Sequence, residues 1–173
     1  MRIAHIADTH LGYRQYNIDE REEDFYLAFQ EVIDKVLEER VDVLIHSGDL
    51  FDSPLPPIKA LYVFKEALRR IKDRMKIITI LGDHDTPKRR GMAPHALFGL
   101  RVLGARGLEC IEVEGVLIAG ISNLRGRAVD ILRQEVAKFD EKAKYYKHAV
   151  LVAVSYTHLR AHETEAELVC RLL

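Results

Sequence analysis

Aspartate and histidine side chains recur in three short motifs, and each motif directly follows an apolar run. The motifs are Asp8-Thr9-His10, Gly48-Asp49-Leu50-Phe51-Asp52 and Gly82-Asp83-His84-Asp85. One Asp-x-His or Gly-Asp pair is an ordinary turn, but three motifs in this arrangement point to a common site. Carboxylate and imidazole ligands suit Mn²⁺, iron or Zn²⁺, and a pair of such ions promotes attack on a phosphate ester. The residue types therefore predict a dinuclear metal site for phosphoester hydrolysis.

Three buried strands are predicted to position these motifs. The apolar runs are Ile3–Ala7, Val41–Ile45 and Ile77–Leu81, each bounded by glycine or polar residues. Runs of this length are typical of parallel strands that are buried on both faces. The carboxyl ends of parallel strands are where open α/β sheets place their functional sites, so the three motifs should converge.

Helical patterns alternate with the strands. Residues Glu20 to Glu39 form an apolar stripe at three- and four-residue spacing, made of Phe25, Phe29, Val32, Ile33 and Val36. A second stripe follows Pro57 and consists of Leu61, Phe64, Leu68 and Ile71. Shorter helices are predicted over Pro94–Leu100 and Ala128–Phe139, a hairpin over Glu109–Val113 and Val116–Ile118, and a last strand over His148–Ala153. This alternation predicts an α/β fold with a largely parallel sheet covered by helices.

Composition sets limits on the class of protein. The chain has 173 residues, of which 48% are hydrophobic and 31% charged, enough for a core of its own. Its net charge is −1, so any contact with nucleic acid must be local. Two cysteines form no disulfide framework, and neither a signal peptide nor a long apolar segment is evident. We therefore expect a cytoplasmic protein without a membrane segment.

The motifs resemble those of the calcineurin-like metallophosphoesterase superfamily, which has D-x-H, then G-D, then G-N-H-D or G-N-H-E. Within it, the segments 4–13 (AHIADTHLGY) and 21–25 (REEDF) resemble the DNA double-strand-break repair nucleases of the meiotic-recombination-eleven or SbcD family, with an archaeal character. The likeness runs from Met1 to about Ala153. It implies a layered sheet flanked by helices that is incomplete at the C-terminus.

The resemblance also implies roles for individual residues. Asp8 and His10 would hold one Mn²⁺ ion, Asp49 would bridge two Mn²⁺ ions, and Asp83 would hold the second. His84 would orient the phosphate and protonate the leaving oxygen as the catalytic residue. The alternative for His84 is a buried turn histidine.

Two positions depart from the family pattern. Asp83 stands where the superfamily usually has asparagine, and its charge would strengthen metal binding but repel the substrate phosphate. Asp52 stands where some relatives carry a histidine that assists the transition state, and it is predicted to be a turn residue rather than a catalytic one.

Other histidines are predicted to have no direct role. His5 and His46 lie inside strands and are expected to be packed in the core or to support the metal ligands from behind. His95, beside Pro94 at a helix start, is expected to be exposed.

The resemblance implies DNA as substrate, a coiled-coil ABC-type ATPase of the SbcC kind as partner, and a homodimer in full-length members. Lys88, Arg89 and Arg90 follow the third motif and would neutralise DNA phosphates, with a solvated basic loop as the alternative.

The last twenty residues resemble no part of the family. A metal-binding histidine is due at Val154 or Ser155, and more histidines are due later. Residues 154–164 instead match one reading frame of a transposase-type sequencing-library adapter, and residues 168–173 match its outer end. We therefore expect residues 1–153 to be the N-terminal part of the nuclease domain and residues 154–173 to be a non-native tail. On this view His158, His162 and Cys170 have no function, although a helix over 156–173 is compatible with the composition.

The expected function is Mn²⁺-dependent exonuclease and endonuclease processing of double-strand-break ends. Because three later histidines are absent, the chain as written is expected to bind metal weakly and to cleave little DNA. The alternatives are a general phosphoesterase acting on nucleotides or small phosphoesters, and a non-catalytic docking fragment.

Overall fold

The computed structural model describes residues 1–87, 91–123, 128–154 and 168–172. A first sheet contains four parallel strands in the order β1 (Ile3–Ile6), β2 (Val43–His46), β3 (Lys76–Thr79) and β4 (Arg101–Val102). The three apolar runs before the motifs therefore form adjacent strands, as predicted, and their carboxyl ends lie at one edge. The short strand β4 was not predicted, because two residues leave no periodicity to detect.

A second sheet is mixed. Its order is β5 (Glu109–Val113), β6 (Val116–Ile121), β7 (His148–Val154) and β8 (Leu168–Leu172). The hairpin of β5 and β6 is antiparallel, β6 and β7 are parallel, and β7 and β8 are antiparallel. The backbone at 168–172 is therefore extended, in contrast to the helix that composition allowed.

Helices cover the outer faces of both sheets. They are α1 (Asp19–Glu38), α2 (Ile58–Ile71) and α3 (Ala128–Ala143), with short 3-10 helices at Gln15–Asn17 and Pro94–Phe98. Acidic residues Asp19, Glu20 and Glu22 occupy the first turn of α1, where negative charge favours the helix dipole. In α1 the side chain that faces the core near the start is Tyr26, which is buried, rather than the predicted Phe25.

Three apolar clusters show the order of the layers. The first joins α1 and α2 to one face of the first sheet, for example through Phe29, Phe64 and Leu44. The second lies between the sheets and includes Ile45 and Ile118. The third joins α3 to the outer face of the second sheet and consists of Leu117, Ala119, Ile121, Phe139, Ala149, Leu151 and Ala153. The fold is thus α/β with two packed sheets between helices, which confirms the layered architecture and corrects the expectation of one largely parallel sheet.

The structure contradicts the prediction for His95 and excludes core packing as the alternative for His5. His95 is fully buried, because the 3-10 helix at Pro94–Phe98 packs its ring against Phe51 at 6.1 Å between ring centroids. His5 is exposed at the surface of β1 and hydrogen-bonds through Nε2 to Ser47 Oγ at 2.5 Å.

Candidate metal centre

The loops that follow β1 and β2 pair with each other beyond the ends of the strands. The N–H of Asp8 donates to the carbonyl of Gly48 at 3.1 Å, and the N–H of His10 donates to the carbonyl of Asp49 at 3.0 Å. Leu11 continues this pairing as an isolated parallel bridge to Phe51. The first motif is therefore held directly beside the second by backbone hydrogen bonds.

Three predicted ligands have left-handed backbone conformations. The φ angle is 54° at Asp8, 40° at His10 and 52° at Asp49. Of the seven non-glycine residues with positive φ in the described ranges, these three lie in the loops that follow β1 and β2. A non-glycine residue in this region costs about 1–3 kcal/mol, and such residues cluster at functional sites. The strain is consistent with side chains turned toward a shared ligand.

Two glycines permit the close approach of the second and third motifs. Gly48 has a φ of +98°, and a Cβ there would lie 2.7 Å from the backbone nitrogen of Gly82. A Cβ at Gly82 would lie 2.5 Å from the backbone nitrogen of Asp49 and closer still to its carboxylate. Side chains at these positions would push the two loops apart.

The first group of potential ligands is Asp8, His10 and Asp49, whose ligand atoms lie within 4.8 Å of one another. His10 Nε2 is 4.0 Å from Asp8 Oδ1. Two carboxylates and one imidazole are a donor set that fits Mn²⁺, iron or Zn²⁺. The structure thus brings together three of the four predicted metal ligands.

The electrostatics of Asp49 also fit a cation. Burial raises the pKa of the Asp49 carboxyl above its ordinary value. The hydrogen bond from the His84 N–H, 2.8 Å from Asp49 Oδ1, opposes this rise, and the charge of Asp85 adds to it. A partly buried carboxylate whose charged form is disfavoured gains most from a cation placed against it.

A second group consists of His10, Asp52 and His84, also with ligand atoms within 4.8 Å. Asp52 Oδ1 is 3.3 Å from His10 Nδ1 and 3.8 Å from His84 Nδ1. The rings of His10 and His84 meet edge to face at 4.8 Å between centroids. Asp52 was predicted to be a turn residue, but its carboxylate lies between the two histidines.

His84 is oriented by the backbone of Asp52. Its Nδ1 donates to the Asp52 carbonyl at 2.7 Å, which leaves Nε2 for a substrate. Burial lowers the pKa of His84, but this hydrogen bond and the charges of Asp49, Asp52 and Asp83 outweigh it, so the pKa lies above its ordinary value. The alternative of a buried turn histidine does not describe this residue, whose side chain is 45% exposed. His84 can therefore carry a proton at the edge of the site.

Asp83 lies outside both groups. Its Oδ1 accepts a hydrogen bond from Asn123 Nδ2 at 3.0 Å. Asn123 follows β6 of the second sheet, so this contact connects the third motif to that sheet. A metal at Asp83 remains a prediction, and no sequence motif indicated a role for Asn123.

His46 supports the first loop from below. Thr9 Oγ1 donates to the carbonyl of Leu50 at 3.1 Å, and so accepts a hydrogen bond from His46 Nε2 at 3.0 Å. Burial, together with the nearby His95, His5 and His10, lowers the pKa of His46 to about 3. His46 is thus a neutral, buried residue, as expected of a group behind the ligands.

Several predictions fall on residues that the structure does not describe. Lys88, Arg89 and Arg90 lie outside the described residues, as do His158 and His162. That Cys170 has no function stays a prediction. Val154 is described, at the carboxyl end of β7. Its Cγ2 would lie 3.1 Å from a Cβ at Gly48, so the side chain at position 154 borders the second motif.

Comparison with known proteins agrees with this geometry. The family model for calcineurin-like phosphoesterases matches residues 1–151. The chain belongs to the calcineurin-like phosphoesterase family. This assignment confirms the resemblance to calcineurin-like phosphoesterases that the three motifs indicated.

Archaeal DNA double-strand break repair proteins named Mre11 are similar to this member of the family. The protein from Thermoplasma acidophilum is 40% identical over 157 residues, which cover 86% of this chain and 42% of the relative. The protein from Methanococcus maripaludis is 38% identical over 161 residues, covering 88% of this chain and 43% of the relative. The relative from Methanocaldococcus jannaschii is 38% identical, with 88% and 43% covered. The chain thus spans less than half the length of these relatives.

Among the described residues of this phosphoesterase, no helix has the length and apolar character needed to cross a membrane.

Proposed function

We propose that this chain is part of a metal-dependent nuclease that processes DNA ends at double-strand breaks. The observation that carries the proposal is the meeting of Asp8, His10 and Asp49 within 4.8 Å, with His84 directly beside them. The similar archaeal proteins are named for double-strand break repair, and this supports DNA over other phosphoesters as the substrate. The relatives' shared name therefore supports DNA as the substrate, and the group of aspartates and histidines supports metal-dependent hydrolysis.

The residues would divide the work of phosphodiester hydrolysis. Asp8, His10 and Asp49 would hold one Mn²⁺ ion, and Asp49 and Asp83 a second. Such ions, when bound, neutralise phosphate charge and make water a better nucleophile at neutral pH. His84 Nε2 faces away from its hydrogen bond with Asp52 and can donate its proton to the leaving oxygen. The raised pKa of His84 favours the protonated form that this step needs.

We infer that the complete protein acts in the cytoplasm on DNA together with a coiled-coil ATPase of the SbcC kind. Lys88, Arg89 and Arg90 are proposed to contact DNA phosphates. We also infer a homodimer of the complete protein. An exposed apolar surface on and before α2 supports it: Leu55 is 90% exposed, Ile58 84% and Tyr62 60%.

Residues 154–173 are proposed to be translated adapter sequence rather than native protein. The chain as written then lacks the later histidines of the family, and we expect it to bind Mn²⁺ weakly. The strand β8 pairs with β7 in the structure, but backbone pairing of this kind is independent of the origin of the sequence.

The test is an assay of the purified chain with Mn²⁺, linear duplex DNA and a chromogenic phosphodiester. We expect slow DNA cleavage that chelation and the substitution Asp49→Asn both abolish. Rapid degradation would show that the chain needs no further ligands. Hydrolysis of the chromogenic substrate alone would favour the general phosphoesterase. Binding to the ATPase without any hydrolysis would favour a docking fragment.

A further inference from the structure

Asp85, the last residue of the third motif, is a fully buried carboxylate that accepts three backbone hydrogen bonds. Oδ2 accepts from the N–H of Gly82 at 3.1 Å and of Leu50 at 3.3 Å, and Oδ1 accepts from the N–H of Phe51 at 3.2 Å. Hydrogen bonds to an ionised acceptor are stronger than those between neutral groups. One side chain therefore fixes backbone groups from two different loops.

These two loops carry the site. Leu50 directly follows Asp49, and Gly82 directly precedes Asp83. The same loops are joined a second time where the N–H of His84 donates to Asp49 Oδ1 at 2.8 Å. Asp85 thus lies at the point where a shift of either loop would change the separation of Asp49 and His84.

His95 closes the other side of this contact. It is fully buried, its Nε2 lies 3.9 Å from Asp85 Oδ2, and its ring packs against Phe51. The 3-10 helix at Pro94–Phe98 thereby covers the carboxylate and keeps water away from it. A buried carboxylate that already accepts three N–H groups has little freedom to move.

We propose that Asp85 is a positioning residue that locks the loops after β2 and β3 together and so sets the distance between Asp49 and His84. The proposal rests on the proposed metal-dependent function, but its structural part is independent of it. Asp85 lies beneath the ligands and acts through the backbone of Leu50, Phe51 and Gly82.

A purely local structural role is the competing explanation. In that case loss of Asp85 would lower stability but leave the remaining site unchanged. Glu135 provides the matched control, because it is also a buried carboxylate that accepts a backbone N–H, from Leu108 at 2.6 Å. It lies on α3, against the second sheet, and within the described part of the chain its hydrogen bonds go to Leu108 and Lys138 rather than to the three motifs.

The variants Asp85→Asn and Glu135→Gln are compared by amide hydrogen exchange without metal and by Mn²⁺ binding followed by electron paramagnetic resonance. In Asp85→Asn we expect faster exchange at Leu50, Phe51 and Gly82, and also at His84, whose N–H bonds to Asp49 and not to Asp85. We expect Mn²⁺ affinity to fall about tenfold or more, as is typical when a group supporting a ligand is removed. Glu135→Gln should change neither measurement at the site.

Wild-type exchange at His84 and wild-type Mn²⁺ affinity in Asp85→Asn would overturn the proposal. If Asp85→Asn does not fold, amide exchange in the wild-type protein still tests the proposal. Its amides at Leu50, Phe51 and Gly82 should be protected like those of β2, and rapid exchange there would overturn the proposal. If the wild-type chain binds no Mn²⁺, the proposed function fails, while exchange at His84 still tests the positioning role.

Discussion

At the scale of single residues, the site combines a group of potential metal ligands with a histidine whose ring is oriented by a hydrogen bond. Asp52 connects the two, because its carboxylate approaches His10 at 3.3 Å while its carbonyl accepts the hydrogen bond of His84 at 2.7 Å. Asp52 therefore orients His84 through its carbonyl, whereas its carboxylate lies close to His10 Nδ1 without a hydrogen bond to it.

The substitution Asp52→Asn should lower the pKa of His84. The backbone hydrogen bond from His84 remains, but one of the three negative charges that raise this pKa is removed. A titration of the metal-free chain by nuclear magnetic resonance measures the effect. The control Asp34→Asn removes an exposed charge that pairs with Arg70 on the helices and should leave His84 unchanged. An unchanged pKa in Asp52→Asn would refute the role given to this carboxylate.

The substitution Val154→His should increase Mn²⁺ affinity by about tenfold, corresponding to about 1.4 kcal/mol. Position 154 borders Gly48 at the end of β7, so an imidazole there can join the existing donor set. Isothermal titration measures the affinity, and Val154→Leu controls for a change of size without a new ligand. Equal affinities of the two variants would exclude position 154 as a ligand position.

The sequence predicted which side chains meet at the candidate site and that His46 lies behind them, but it did not predict the roles of Asp85 and His95. Asp8, His10 and Asp49 could be identified because residue type and position at a strand end suffice. Asp85 and His95 could not, because their importance depends on burial and on the path of the loops. A histidine beside a proline at a helix start is typical of an exposed position. The 3-10 helix instead packs the His95 ring against Phe51 and buries it.

At the scale of elements, helices and buried strands followed from periodicity, and sheet membership did not. The stripes of α1 and α2 and the runs of β1, β2 and β3 lie where the pattern placed them, within a few residues. Nothing in an apolar strand specifies which sheet it joins. Strands β6 and β7, which α3 connects, pair with each other in a second sheet. The alternation of strands and helices along the sequence is the same for one sheet as for two, so it could not predict this.

The attachment of α3 provides a test at this scale. Glu135 accepts the N–H of Leu108 and the ammonium of Lys138, and these hydrogen bonds lower its pKa, with that of Lys138 the larger cause. Glu135→Ala should lower the free energy of unfolding by about 1–3 kcal/mol at pH 7, because a buried N–H loses its partner. The difference between wild type and variant should shrink as the pH falls below about 4.5, the ordinary pKa of the group.

Urea denaturation measures this difference. Glu141→Ala removes an exposed acid of the same helix that pairs with Lys144, and its effect should stay within about 0.5 kcal/mol. If both variants lose the same stability, Glu135 does not anchor α3 to the loop before β5.

At the scale of the whole molecule, the second sheet includes residues that are proposed to be non-native, because β7 ends at Val154 and β8 is Leu168–Leu172. Sequencing the genomic DNA across the Ala153 codon, from a library made by a different chemistry, tests this directly. We expect the frame to continue into a histidine at position 154 and, later, a Gly-His-x-His motif. A genomic sequence that encodes Val154–Leu173 and then stops would instead make the chain a relic or a binding fragment.

The stability of the whole metal-free molecule should fall in mild acid because of His46. Its folded-state pKa is about 3, lowered by burial and by His95, His5 and His10, whereas an unfolded histidine titrates near its ordinary value of 6.5. Above that pH both states are neutral at this residue, and His46 has no effect. Between about pH 6.5 and 3 only the unfolded state takes up the proton, so each pH unit costs up to about 1.4 kcal/mol.

Urea denaturation from pH 7.5 to 4.5 should therefore show a loss of about 2–3 kcal/mol from this residue at the lower limit. His46→Gln keeps a polar partner for Thr9 but cannot titrate, so its stability should depend less steeply on pH than that of the wild type. His148→Gln replaces an exposed histidine at the start of β7 and should keep the wild-type slope. Burial of His95 lowers its pKa too, and its contribution to the slope is common to all three proteins. Equal slopes for wild type and His46→Gln would mean that His46 is protonated, or reached by water, in the folded protein.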